Sequence, residues 1–350
     1  MITWKHTIVG KMPAKPYIWI ALLLSGWCPL WPQAGGPITW PTSNTAFMRG
    51  EDLSAFIQPT VSGRVTSGLY GCVRNDGFRF HEGIDLFPIF RTPNGEADEP
   101  VFAVMNGRVM HVNPVASRSG YGRYVVLEHT DADIPVYTLY SHLADIAEGV
   151  EEGVWLQAGD PVGGLGRSAA YDIPKSRAHV HFEIGLRIGN GFQGWYDQQD
   201  FTAPNHFGIW NGMNLVGFDP LAFFEAVRDG EFTSFHAHIQ TFAELAVLRV
   251  HTSKIPDLIQ RYPTLLTRPI EPGSGIAAWD IVFSQYGFPI RLTPWFAGEL
   301  PARNGGSVEL LSIDERLRAE TRCWKSFSRS RDTYEVAAFM QRTLAILFEH

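Results

Sequence analysis

The chain has 350 residues, 45% hydrophobic and 19% charged, a balance that excludes wholesale disorder and has room for two domains. The formal net charge is -7 and no basic stripe occurs, which argues against a nucleic-acid binder and against capture of an acidic polymer. With 34 glycines and 13% aromatics, short strands and many turns are expected rather than a helical bundle. In chain order, Lys5, Lys11 and Lys15 precede the apolar run "YIWIALLLSGWCPLWP", and no acid occurs before Glu51. This is the pattern of a secretory signal over 1–34, with Ala34 as a cleavage point and an uncleaved membrane anchor as the alternative. Removal of three lysines takes the charge from -7 to -10. Residues 35–57 read as a short linker. From about Gln58 to Phe224, "VFAVMNGRVMHV", "YGRYVVLEHT", "VYTLYSHL" and "AHVHFEIGL" read as β-strands broken by glycine.

After "GFDPLAFFEAVRDG" the character changes, and a boundary near Asp229 separates a domain over 58–228 from a second over 229–350. "HIQTFAELAVLRV", "IPDLIQRY" and "RDTYEVAAFMQRTLAILF" carry helical spacing, so the second domain is expected to be mainly α. Asp332 followed by Glu335 reads as a capping box opening the last helix. The expected fold class is a mainly β domain with an antiparallel sheet core followed by a smaller helical one. Cys28, Cys72 and Cys323 are the only cysteines. An exported chain that lost Cys28 would keep two, either joined as a disulfide or held as separate buried thiols.

The chemistry centres on "FRFHEGIDLF". His81 and Asp85 stand four apart around Gly83, a poor helix residue, so a strand entering a tight turn fits better than a helix face. In "AHVHFEI", strand alternation sends His179 and His181 to one face and Val180 and Phe182 to the core. "LYSHL" adds His142. A catalytic zinc takes three protein ligands and keeps a position for water, so five candidates leave two imidazoles for proton transfer and oxyanion stabilisation.

The ordered set H-x-x-x-D, Y-x-H-L and H-x-H-F-E resembles the lysostaphin/LytM-type zinc metallopeptidases, which cut peptide bonds of bacterial peptidoglycan. "GRVTSGLYG", "VFAVMNGRVMHV", "GYGRYVVLEH", "LQAGDPVGGLGRS" and "FDPLAFF" resemble flanking segments of that family, with the likeness running from about Ser62 to Leu186. The resemblance implies one Zn2+ held by His81, Asp85 and His181, with His142 and His179 unliganded. It leaves open which of the two is the base; His179 is favoured as base and His142 as oxyanion partner. It also implies peptidoglycan peptides as partner, and export to the periplasm or beyond. A family member lacking activity and regulating other wall hydrolases is the competing reading, and a sugar-phosphotransfer carrier of similar β architecture a remote one.

Other polar groups have plainer readings. His129 is expected to be structural, Glu183 to support His181 or make an ordinary ion pair, and His236 and His238 to be splayed by a helix. Trp195, Tyr196, Phe207 and Trp210 either wall a groove or cover the sheet. The loops "FPIFRTPNGEADEP" and "AAYDIPKSRAH", longer than the family pattern, are expected to border that groove.

Overall fold

The computed structural model describes residues 31–33, 36–301, 307–323, 326–330 and 333–348. The expected signal segment lies almost wholly outside these, Ala34 included. Among the described residues no helix is long and apolar enough to cross a membrane.

The glycine-bounded β-branched runs form strands, as expected. In chain order these are Gly71–Arg74 (β1), Arg79–His81 (β2), Ile84–Leu86 (β3), Gly107–Asn113 (β4), Tyr124–His129 (β5), Val136–Ser141 (β6), Val180–Arg187 (β7) and Leu215–Gly217 (β8). A short strand at Trp155–Leu156, then β4, β5, β6, β7 and β8, makes one antiparallel sheet, with β3 also pairing β7. Alternation decides which face each side chain serves. Val125, Leu127 and Tyr140 enter the main core, while Tyr124, Val126, Tyr137 and Leu139 pack with Trp210 on the other face. Each fully buried aliphatic side chain contributes roughly 1.5–3 kcal/mol.

Residues 36–57, read as a linker, are built into this core. Trp40 stacks on Phe47 at 4.4 Å between ring centres and meets Phe224 edge-on. Phe224 belongs to the helix Pro220–Arg228 (α2), which follows the short helix Phe192–Asp197 (α1) and opens with the Asp219 carboxylate capping two backbone N–H groups.

The region beyond Asp229 corrects the expectation of a mainly helical domain. Its centre is a four-stranded antiparallel sheet of Glu244–Val250 (β9), Ile276–Ser284 (β10), Pro289–Phe296 (β11) and Val308–Ile313 (β12), in the order β11-β10-β9-β12. "HIQTFAELAVLRV" divides between the helix Phe235–Gln240 (α3) and β9. Leu245 with Leu248 and Ala246 with Val250 satisfy a three- to four-residue spacing, but a register shift between Glu244 and Ala246 lets the same residues serve a strand. Leu258–Arg261 is helical, as expected. The capping box is absent: Glu335 lies in the strand Thr333–Val336 (β14), which pairs with Phe327–Ser330 (β13) in a hairpin. Asp332 lies outside the described residues. The last helix begins at Ala338 and ends at Phe348 (α5), with the helix Glu315–Glu320 (α4) before the hairpin; Met340, Leu344, Leu347 and Phe348 are its buried face. Cys72 of β1 and Cys323 are joined as a disulfide, Cα to Cα 5.4 Å, tying the first sheet region to the C-terminal one.

Candidate metal centre

The turn joining β2 to β3 exists because position 83 is glycine. A Cβ there would stand 2.1 Å from the Phe182 carbonyl oxygen, so any other residue would push β7 away. With glycine, β3 pairs with β7 so that Asp85 lies directly opposite His181. β6 pairs on the other side of β7, setting Ser141 opposite the same histidine. His142 follows at once, and its backbone φ of 61° lies in the left-handed region. That conformation costs of order 1–3 kcal/mol for a non-glycine residue. It is held by bonds from the His142 N–H to the Tyr121 carbonyl (2.9 Å) and from the Ser168 N–H to the His142 carbonyl (3.2 Å).

Three ligand atoms converge. His81 Nε2 is 2.9 Å from His181 Nδ1, and both are 3.0 Å from Asp85 Oδ1. All three side chains are almost fully buried. Their neighbours fix which ring nitrogen carries hydrogen. His81 Nδ1 bonds the Leu69 carbonyl (2.7 Å), so that nitrogen donates and Nε2 presents a lone pair. His181 Nε2 bonds Glu183 Oε1 (2.9 Å), so Nδ1 presents a lone pair. Two imidazole lone pairs and a carboxylate oxygen therefore point at one place, a set of acceptors that repel unless a cation or proton lies among them. Catalytic zinc sites use three ligands at about 2.0–2.2 Å, and tetrahedral placement at that reach asks for ligand atoms roughly 3.3 Å apart. The donor set fits zinc with a small outward movement. The other oxygen of Asp85 accepts from Arg74 (2.5 Å), leaving a single oxygen for the centre.

The unliganded pair is close by. His142 and His179 have ring centres 4.7 Å apart, and His179 Nε2 is 3.6 Å from Asp85 Oδ1. His142 Nδ1 bonds the Ser168 carbonyl (2.8 Å) and His179 Nδ1 the Arg177 carbonyl (2.7 Å). Each neutral ring thus keeps Nε2 as a proton acceptor. Burial lowers the pKa of both, and neighbouring histidines lower that of His142 further. Burial takes His81 to about 4. Burial also opposes charge on His181, but the Asp85 and Glu183 carboxylates outweigh it and lift this histidine to about 9.

Sequence reasoning named these five groups, and the structure brings all five together. It offered Glu183 as a support for His181, as found, but not the two tyrosines that hold Glu183. Glu183 also accepts from Tyr121 (2.6 Å) and Tyr137 (3.1 Å), so one buried carboxylate bonds two phenols and an imidazole. Alternation in "VYTLYSHL" carries the signal for Tyr137, whereas Tyr121 sits in a turn that no periodicity marks. His129 is structural as expected, bonded to the Asn106 carbonyl and Thr138 (2.8 Å each). His236 and His238 lie on α3, away from the centre, with His238 packed among phenylalanines.

A cavity of about 610 Å³ opens over the centre. Its walls include Tyr171 and Arg177 from the long "AAYDIPKSRAH" approach, and Phe207. Trp210 instead covers the sheet, beneath the Arg187 guanidinium at 5.2 Å. Trp195 and Tyr196 pack around Phe192. Tyr286, Phe339, Arg342 and Thr343 of the C-terminal region complete the wall.

A mainly antiparallel β domain here clusters two histidines and an aspartate that could hold a metal ion. Residues 79–192, about a third of the chain, match the model of Peptidase family M23. Among solved structures, the catalytic domain of prophage-encoded M23 protein EnpA from Enterococcus faecalis is similar at 24% identity and TM-score 0.27, over 37% of this chain and 80% of that one. The catalytic domain of the antimicrobial peptidase lysostaphin from Staphylococcus simulans is similar at 21% identity and TM-score 0.28, over 45% and 87%. CbpA from L. salivarius REN is similar at 22% identity and TM-score 0.30, over 47% and 88%. At these scores the likenesses add nothing to the family match. No curated protein matches the chain.

Proposed function

We propose that the protein is an exported zinc endopeptidase that hydrolyses peptide bonds of bacterial peptidoglycan. The observation that carries this reading is the convergence of His81 Nε2, Asp85 Oδ1 and His181 Nδ1 within 3.0 Å of one another, each ring's tautomer set by its outer partner. His81, Asp85 and His181 would hold the ion. Bound zinc supplies a Lewis acid for the scissile carbonyl and an acidified water at neutral pH.

The chain's own residues do the rest. His179, beside Asp85, takes the proton of the attacking water on Nε2; its Nδ1–H stays committed to the Arg177 carbonyl, so the ring keeps its direction. His142, whose Nδ1–H is committed to the Ser168 carbonyl, donates to the oxygen on which charge develops only with a proton on Nε2; the attacking water supplies it by way of His179, and it passes on to the leaving amine as the peptide bond breaks. Arg74 holds the second oxygen of Asp85 and prevents it from swinging into the cavity. Burial keeps both unliganded imidazoles neutral at pH 7, ready to accept a proton. The M23 segment and an accessible cavity support a peptide substrate; we further propose a division near Asp229 between this catalytic part and the C-terminal part.

The test is digestion of purified peptidoglycan of known cross-link chemistry by wild type and His181→Ala, with fragments read by mass spectrometry. Release of uncross-linked peptides by the wild type alone is expected. Equal digestion by both proteins refutes the role of His181, and digestion by neither favours a regulator of other hydrolases.

A further inference from the structure

The cavity wall contributed by α5 carries a charge that no carboxylate among the described residues answers. α5 docks against the end of β7, the strand of His181, because Gly189 leaves room: a Cβ there would stand 2.7 Å from the Ile346 carbonyl oxygen. This docking turns Phe339, Arg342 and Thr343 toward the cavity that also contains His142, His179 and His181. The Arg342 guanidinium lies 5.0 Å over the Phe339 ring and is half-buried. Among the described residues no carboxylate pairs with it. Arg74, on the same cavity wall, differs in being bound to Asp85. Burial alone lowers the pKa of Arg342, with no acidic neighbour to raise it.

The acids of the cavity are already engaged. Asp85 faces the histidines and Arg74, and Glu183 is held by His181 and two tyrosines. Glu82, the third acid lining the cavity, is the exception. Arg79 and Arg177 also line the cavity, and no carboxylate among the described residues pairs with either. Three guanidiniums, those of Arg79, Arg177 and Arg342, thus face the cavity against one carboxylate, that of Glu82, and the excess charge is cationic. A guanidinium laid flat on a ring, partly shielded from water, presents a fork that matches a carboxylate in two parallel bonds.

We propose that Arg342 reads a free carboxylate on the peptide substrate, which makes the C-terminal helix a specificity element of the site. The inference rests on the peptidoglycan-peptidase reading for the identity of the peptide but not for the presence of the anion site. It makes Arg342 a substrate-binding group, distinct from the proton-transfer pair.

The experiment uses the full chain carrying His142→Ala, so that peptide survives. Fluorescence anisotropy measures binding of two labelled peptides excised from peptidoglycan cross-links, one with free carboxylates and one with the same groups converted to carboxamides. The carboxylate peptide is expected to bind about 10- to 100-fold tighter. Adding Arg342→Gln brings the two within about 3-fold by weakening the carboxylate peptide alone, and Arg342→Lys keeps an intermediate preference. Equal weakening of both peptides by Arg342→Gln, or an undiminished preference, overturns the proposal. If the preference collapses as expected while the wild type releases nothing from peptidoglycan, the anion site stands and the hydrolase reading falls.

Discussion

Glu183 is the residue whose replacement tests the centre most sharply. Its carboxylate is not one of the three converging ligand atoms; it accepts from His181 Nε2 at 2.9 Å, Tyr121 at 2.6 Å and Tyr137 at 3.1 Å. Glu183→Gln keeps the volume and one acceptor oxygen but removes the charge that makes His181 a stronger ligand and fixes its tautomer. Loss of such an outer partner typically costs 10- to 100-fold in metal affinity, about 1.4–2.7 kcal/mol. Glu183→Ala goes further, leaving two buried phenols and an imidazole N–H without their acceptor; at roughly 1–3 kcal/mol each, at least about 3 kcal/mol of stability is lost. Zinc affinity is measured by competition with a chromophoric chelator, and the fold by thermal melting of the metal-free protein. The expected order of affinity is wild type, then Glu183→Gln, then His181→Ala. A Glu183→Gln protein that binds zinc within 2-fold of the wild type, while His181→Ala loses it, would refute the reasoning.

His142→Ala is expected to lower peptide release at least about 100-fold while zinc stoichiometry is kept, because this ring is not among the three ligand atoms; release and bound zinc are read on the same sample. Gly83→Ala drives a Cβ to 2.1 Å from the Phe182 carbonyl oxygen, so both zinc affinity and melting temperature fall. Replacing Cys72 and Cys323 by Ser removes a bridge across a separation of 251 residues, and a loss of about 2–5 kcal/mol is expected in denaturant melts, matched by reductant on the wild type. His129 is buried away from the centre and its pKa is lowered by that burial to about 4. Its contribution is present above pH ~6.5 and lost as the pH falls through 4, roughly 3 kcal/mol in all, and His129→Asn flattens that part of the stability curve.

The centre was legible because its groups sit in stretches where local rules decide position. The H-x-H alternation survives in β7, and Val180 and Phe182 are buried as that alternation requires. Gly83 marked a turn, although its physical reason, the close passage of β7, is a contact between segments a hundred residues apart. The C-terminal sheet was hidden for the opposite reason. In "TFAELAVLRV" leucines and valines at mixed spacing fit a helix face as well as a strand with a bulge, and pairing with β10 and β12 decides between them. Asp332 and Glu335 carried the letters of a cap, but Tyr334 and Val336 belong to a hairpin whose nearest paired residues, Ser330 and Thr333, are three apart. Arg342 could not be seen at all, since only the docking of α5 at Gly189 gives it a role.

The order in which the chain is made gives the Cys72–Cys323 link and the helix at the end a temporal meaning. Every group that can hold the ion has left the ribosome soon after residue 183, but the outer wall waits for residues 286 and 342. At about 5–20 residues per second that gap lasts roughly 10–30 s. During it the nascent chain carries an unwalled cleft, and a product truncated before residue 323 never gains the covalent tie. Discrimination among ligands is therefore acquired last, and belongs to the finished chain alone.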